Sequence, residues 1–242
     1  MRTRHNQAGA TLIEVLTYMA LASMVFLAIY GIFMAGRRYF EIARASIEVQ
    51  QALNTVGFRL TRDLMETHAE TVQSYPNTKY TSLPVGIVFL SARDDQNVFQ
   101  YEPTYGMPMW QKYIGYYLDT DPSYPDNPRM RALYVAEVKP SGFPKIRAEK
   151  GTVNNVTTAT IRSSGQNRRL LAHGLMAPTN TRPRGGFDCY ALINGIQNHQ
   201  NFTNPIYVNL EMLNTAAGVA RTGGADSNEN SITSFLRIEG RS

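Results

Sequence analysis

From Val15 to Gly36 the chain runs for 22 residues without a charged side chain, and no other feature restricts its folding as strongly. A helix of that length, at about 1.5 Å per residue, crosses a hydrocarbon layer of roughly 30 Å. One carboxylate, Glu14, stands at the mouth of the run. A charge near the bilayer centre costs on the order of 2.5–3.5 kcal/mol, and less near an interface, so Glu14 asks for a partner. Ahead of it lies the polar leader Met1–Gly9, MRTRHNQAG. A secretory signal places its apolar region before the cleavage site, whereas here the order is reversed. A cut after Gly9 would leave the apolar helix on the product.

Composition limits what the rest can be. With about 30 of its residues on the membrane segment, a chain of this length suits one compact domain and a connecting helix. Hydrophobic residues at 43% and charged residues at 18% describe a folded protein rather than a disordered one. The formal charge is +5, and loss of Arg2 and Arg4 with the leader lowers it to +3. That mild excess is dispersed over Arg129/Arg131, Lys145/Arg147/Lys150, Arg168/Arg169 and Arg182/Arg184, which read as solvated faces. DNA binding is therefore a secondary expectation, tied to these clusters. The single cysteine, Cys189, excludes an intrachain disulfide and reads as a small buried residue of the strand Phe187–Ile193.

Gly9 followed by Ala10-Thr-Leu-Ile-Glu-Val-Leu16 resembles the signal of type IV prepilins and type II secretion pseudopilins. The resemblance implies that a prepilin peptidase cuts between Gly9 and Ala10 and that the new amine of Ala10 is methylated. It departs from the family at Ala10, where phenylalanine or another bulky residue is usual. Arg2, Arg4 and the leader amine favour a cytoplasmic N-terminus, which places the body outside; Arg37 and Arg38 weaken the asymmetry only locally. A cationic amine at Ala10 can pair with Glu14 of a neighbouring helix or its own, because opposite charges attract far more strongly in a low dielectric than in water. Glu14 thus reads as the registry residue for packing helices into a filament.

The helical period continues without proline to Pro76. Ile42, Ala45, Val49, Leu53, Val56, Leu60 and Leu64 recur at three- and four-residue steps, which predicts one helix from about Thr11 to His68. Gly31, Gly36 and Gly57 weaken it by about 1 kcal/mol each, and local unwinding is expected near Gly31–Gly36. Arg59-Leu-Thr-Arg-Asp-Leu64 reads as an amphipathic helix end with exposed salt-bridging charges. Beyond Pro76 the period becomes two. Strands are expected at Gly86–Ala92, Val98–Tyr101, Gln111–Leu118, Ala132–Val138, Val156–Arg162, Leu170–Met176, Phe187–Ile193, Ile206–Leu213 and Ile232–Ile238. Trp110, Tyr113, Tyr116 and Tyr117 are expected to fill one side of the sheet.

The expected fold class is α+β, a pilin fold in which a long N-terminal helix packs on a predominantly antiparallel β-sheet domain. Its parts are a leader (1–9), a transmembrane helix (10–36), an amphipathic continuation (37–74) and a β-rich head (75–242). The strand order resembles J-type pseudopilins and PilW-like minor pilins. Large size and the Pro-, Gly- and Asn-rich segments Asp119–Pro128 and Asn214–Asn230 favour a minor subunit, since bulky excursions fit poorly at every lattice position. The resemblance implies a place in the bacterial inner membrane and then at or near the tip of a pilus or pseudopilus, acting in assembly initiation. The implied partners are other minor and major pilins or pseudopilins, the prepilin peptidase and the inner-membrane assembly platform. A surface-exposed adhesin or DNA-uptake subunit of the same filament is the alternative.

Enzyme signatures are missing from the sequence. His5, His68, His173 and His199 form no HxH or HxxxH pair, and no GxSxG elbow, P-loop or dinucleotide fingerprint is present. The chain reads as a non-enzyme without cofactor. The one candidate ligand set is Asp119, Asp121 and Asp126, carboxylates on a loop of the kind that holds calcium, although that loop lacks the glycine and terminal glutamate of an EF-hand.

Overall fold

A computed structural model of the chain describes residues 11–76, 84–144, 156–180, 182–213 and 231–239. The chain divides into two compact units, Met1–Ala45 and Ser46–Ser242. Helix α1 (Leu12–Met65) supplies the described part of the first and the opening of the second. It continues through Gly31 and Gly36 without the expected unwinding. Its end comes three residues before His68. There the Thr67 hydroxyl donates to the Leu90 carbonyl at 2.7 Å, and a short 3₁₀ turn, Ala69–Thr71, follows.

In the second unit the periodic residues of α1 do what their spacing predicts. Val49, Leu53, Val56, Leu60 and Leu64 are buried in the same apolar core as the sheet. Full burial of one such side chain contributes about 1.5–3 kcal/mol relative to exposure, so this stripe is a principal fastening of helix to sheet.

The strands are β1 (Gln73–Tyr75), β2 (Gly86–Ser91), β3 (Lys112–Thr120), β4 (Met130–Val138), β5 (Gln166–Met176), β6 (Phe187–Ile193), β7 (Ile196–Asn198), β8 (Ile206–Leu213) and β9 (Ser231–Ile238). They form an antiparallel sheet in the order β1-β2-β3-β4-β5-β8-β6-β7, with β9 paired to β8. This is the expected α+β arrangement. Register is continuous from β2 to β4, as in Tyr116↔Val135 and Tyr117↔Tyr134, and broken by bulges between β4 and β5. The junction of β5 with β8 is a single pair, Leu175↔Met212. Gly186 closes that seam by donating to the Met176 carbonyl and accepting from the Glu211 amide. A Cβ there would lie 2.2 Å from the Glu211 oxygen, which explains the glycine.

The second face of the sheet carries a smaller core. Helix α2 (Thr158–Ser164) covers it, and Ile161 lies where a Cβ on Gly115 would meet its Cγ2 at 2.6 Å. This helix corrects the strand expected at Val156–Arg162. Its residues are β-branched, but Thr157 is extended and its hydroxyl accepts from the Thr160 amide, an N-cap that starts a helix. Val98–Tyr101 forms only isolated bridges, Arg93↔Phe99 and Tyr101↔Pro108. The aromatic group of β3 is divided by the pleat. Tyr116 faces α1, whereas Tyr113 and Tyr117, with Trp110, face α2.

Candidate functional site

Two sets of residues have functional geometry, one in each unit. In the first unit, α1 opens with the amides of Glu14 and Val15 donating to the Thr11 carbonyl at 3.0 and 3.2 Å. Glu14 stands in the first turn, where the positive end of the helix dipole favours a carboxylate. Every residue from Thr11 to Glu41 is exposed, and the helix includes a stretch long and apolar enough to cross a membrane, none of it buried. Its threonine and serine hydroxyls bond within the helix. Thr17 donates to the Ile13 carbonyl and Ser23 to the Met19 carbonyl, both at 2.7 Å. Such bonding lets polar side chains enter a medium without water. Gly9 and Ala10, the expected cleavage and methylation positions, lie outside the described residues.

In the second unit the Arg59–Leu64 segment is not the exposed charged end that its composition suggests. Asp63 is buried, accepting from the Tyr116 hydroxyl at 2.5 Å and from Arg62 Nη2 at 2.8 Å. Arg59 Nε lies 3.9 Å from its second oxygen. Burial, and then the adjoining Asp63 charge, push the Tyr116 phenol well above its ordinary range. A spacing signal existed: Asp63 is three residues from Leu60 and seven from Val56, within the apolar stripe.

Beside this cluster lies a groove of about 630 Å³ lined by α1, the 93–97 loop, β3, β4 and β5. On its walls Arg93 is held by both oxygens of Glu66 at 2.7 and 2.5 Å and by the Asn97 carbonyl. The Glu66 contact raises the guanidinium above its ordinary value against the opposing effect of burial. Lys112 pairs with Glu137 at 2.7 Å.

The three aspartates of the candidate calcium set are not gathered into one cluster: among the described residues no group of three metal-ligating side chains occurs. Asp119 is held by Arg162 and Arg168 at 2.8 and 3.0 Å. Asp121 is fully buried and accepts from the Ser123 and Gly174 amides and from His173 Nδ1. Asp126 is exposed. Two of the three therefore serve as structural acceptors.

Ser123, His173 and Asp121 adjoin one another, yet both partners of His173 meet the same nitrogen, Nδ1. A hydrolytic relay requires serine and aspartate on opposite ring nitrogens. Several members of the basic clusters are also engaged. Arg168 stacks over Tyr134 at 4.1 Å, Arg182 pairs with Glu211, and Arg184 binds Ser74 and the Pro76 carbonyl. Lys145, Arg147 and Lys150 lie outside the described residues. Cys189 is buried in β6, as expected, with burial pushing its thiol upward.

Residues 4–30 match the family described as prokaryotic N-terminal methylation motif. The chain carries a prepilin-type methylation motif. The match takes in the leader from Arg4 onward, Glu14 and most of the charge-free run, all within the first unit, and so it supports a pilin-type structural subunit. No curated protein and no solved structure matches the chain.

Proposed function

We propose that this protein is a minor pilin or pseudopilin that initiates filament assembly from the bacterial inner membrane. The observation that carries the reading is the methylation motif at residues 4–30 at the head of a helix whose apolar side chains from Leu12 to Phe40 are all uncovered. Before processing, the first part of α1 anchors the chain in a single pass, with the sheet unit outside the cytoplasm. Cleavage between Gly9 and Ala10 frees the amine that methylation then caps. Glu14 of one subunit pairs with that cationic amine on another, and the exposed apolar residues exchange lipid for neighbouring helices. An ion pair in a low-dielectric surrounding is strongly register-dependent, since a misplaced charge is left without compensation.

Glu14→Ala tests the proposal. The variant should reach the membrane and be processed, but fall to background in sheared filaments, with filament number reduced. Normal recovery and normal filament number would refute it. Deletion scored separately for twitching and for protein secretion distinguishes a type IV pilus from a type II secretion pseudopilus.

A further inference from the structure

Strands β6, β8 and β9 present an outward sheet face rich in aromatic and polar side chains. Register places Asp188, Asn209 and Phe235 in one row and Tyr190, Tyr207 and Arg237 in the next. Alternation turns all six away from the core that takes Cys189, Val208 and Leu210. The rings form a ladder: Tyr190 stacks on Tyr207 with centroids 5.6 Å apart, and Tyr207 meets Phe235 at 5.7 Å. It ends on Phe235, 59% exposed, because among the described residues no strand pairs with the far edge of β9. Beside the ladder lies a pocket of about 570 Å³ whose lining includes Arg182, Arg184, Asp188, His199, Asn209 and Glu211. Its charges are matched. Arg182 pairs with Glu211 at 2.9 Å, and Arg184 and His199 meet Asp188 at 3.5 and 3.0 Å. Arg237, next along the face, pairs with Glu239 at 3.0 Å. Asn209, in the middle, is the exception, for its Oδ1 is buried without a donor. Its last torsion is broad and two-fold, so rotation can turn either end of the amide toward a ligand.

We propose that this face binds a neutral oligosaccharide, with the C–H side of one sugar ring on Phe235 and hydroxyls of the next ring in the pocket on Asn209 and Thr233. An anionic ligand would have to draw Arg182 or Arg184 from its carboxylate and leave a charge uncompensated. A purely apolar ligand would cover these pairs and Asn209 while returning no hydrogen bonds. A sugar carries both kinds of surface. Its C–H side packs on an aromatic ring, and each hydroxyl both donates and accepts, so it serves either end of the Asn209 amide and the lone pairs that a paired carboxylate still has. A concave polar pocket next to an exposed ring is the arrangement that fixes such a ligand in place. The site lies wholly in the second unit, and Glu14→Ala should bind sugar as the parent chain does.

The test is saturation-transfer NMR titration of the full chain in micelles of a detergent without a sugar headgroup. The probes are cellotetraose and chitotetraose, read against a sulfated heparin tetrasaccharide. At least one neutral probe should bind saturably. Phe235→Ala should weaken it about tenfold or more, and Asn209→Ala should weaken it severalfold, with circular dichroism confirming both folds. Tyr105→Ala removes an equally exposed ring elsewhere in the unit and should leave binding unchanged. Failure of both neutral probes to bind at about 10 mM, or equal binding by either face variant, overturns the proposal. Equal loss in Tyr105→Ala or tighter binding of the sulfated probe also overturns it, the first by showing unspecific stacking and the second by showing a site for anions.

Discussion

Leu27 and Leu60 belong to the same helix, yet the first is 70% exposed and the second is wholly buried. In the first unit α1 is apolar around its circumference, which suits surroundings that are apolar on every side. In the second it is apolar along one stripe, which suits a sheet. The difference shows that one continuous helix can be written for two solvents. Residues of the first part are left exposed by their own chain, whereas residues of the second are covered by it.

The sharpest way to break this comparison is to make the same substitution in both parts. Leu60→Ala should destabilise the sheet unit by about 2–5 kcal/mol, because the removed side chain leaves a cavity as well as losing its burial. Leu27→Ala should change that stability by less than about 0.5 kcal/mol. Denaturant unfolding of the full chain in micelles, followed by tryptophan fluorescence from Trp110, measures both. Equal effects would show that the two parts do not differ as described.

The two carboxylates of α1 extend the contrast. Tyr116→Phe removes a donor from buried Asp63 and should cost about 1–3 kcal/mol. Glu14→Ala should leave sheet stability unchanged in the same assay. The phenol also gives a pH signature. Its folded pKa lies above the unfolded value near 10, so above that pH the unfolded chain releases a proton that the folded chain retains. Stability should therefore fall as pH rises past about 10, and Tyr116→Phe should flatten that slope. Thr157→Ala, which removes the α2 cap, should cost only about 1 kcal/mol.

The smallest effect concerns the loop before β3. Asp94 titrates below the ordinary carboxylate value, chiefly through the Val98 amide, against the opposing effect of desolvation, with help from Gln100 and the Gln96 amide. A depressed folded pKa means that its contribution is present above the unfolded pKa and fades as pH falls through the folded one. Amide shifts of Gln96 and Val98 should therefore move only in acid. Movement nearer neutrality would contradict the assignment.

Much of this fold was legible because periodicity reports which surfaces are buried. The steps from Val49 to Leu64 located the helix stripe, alternation located β8, and β-branched and aromatic runs located β2, β3 and β6. Periodicity failed where a few atoms decide the outcome. The Thr157 hydroxyl turned a β-branched segment into α2, and three-residue strands such as β1 and β7 are too short to show a period. The methylation motif was readable because it is contiguous in sequence. The groove was not, since α1, the 93–97 loop, β3, β4 and β5 that line it are distant in sequence and meet only in the fold. Asp63 misled because charge suggests exposure, although its position in the stripe pointed inward.

Gly57 of α1 faces Leu236 of β9, and a Cβ there would already touch the leucine at 3.3 Å. The start of the sheet unit is thus covered by its last strand, about 180 residues later. At ~5–20 residues per second, the ribosome needs roughly 10–40 s to deliver one after the other. For that interval the stripe of α1 has no β9 to cover it. The protein therefore passes through an interval, set by translation rather than by equilibrium stability, in which the Gly57 face of this helix lacks the strand that covers it.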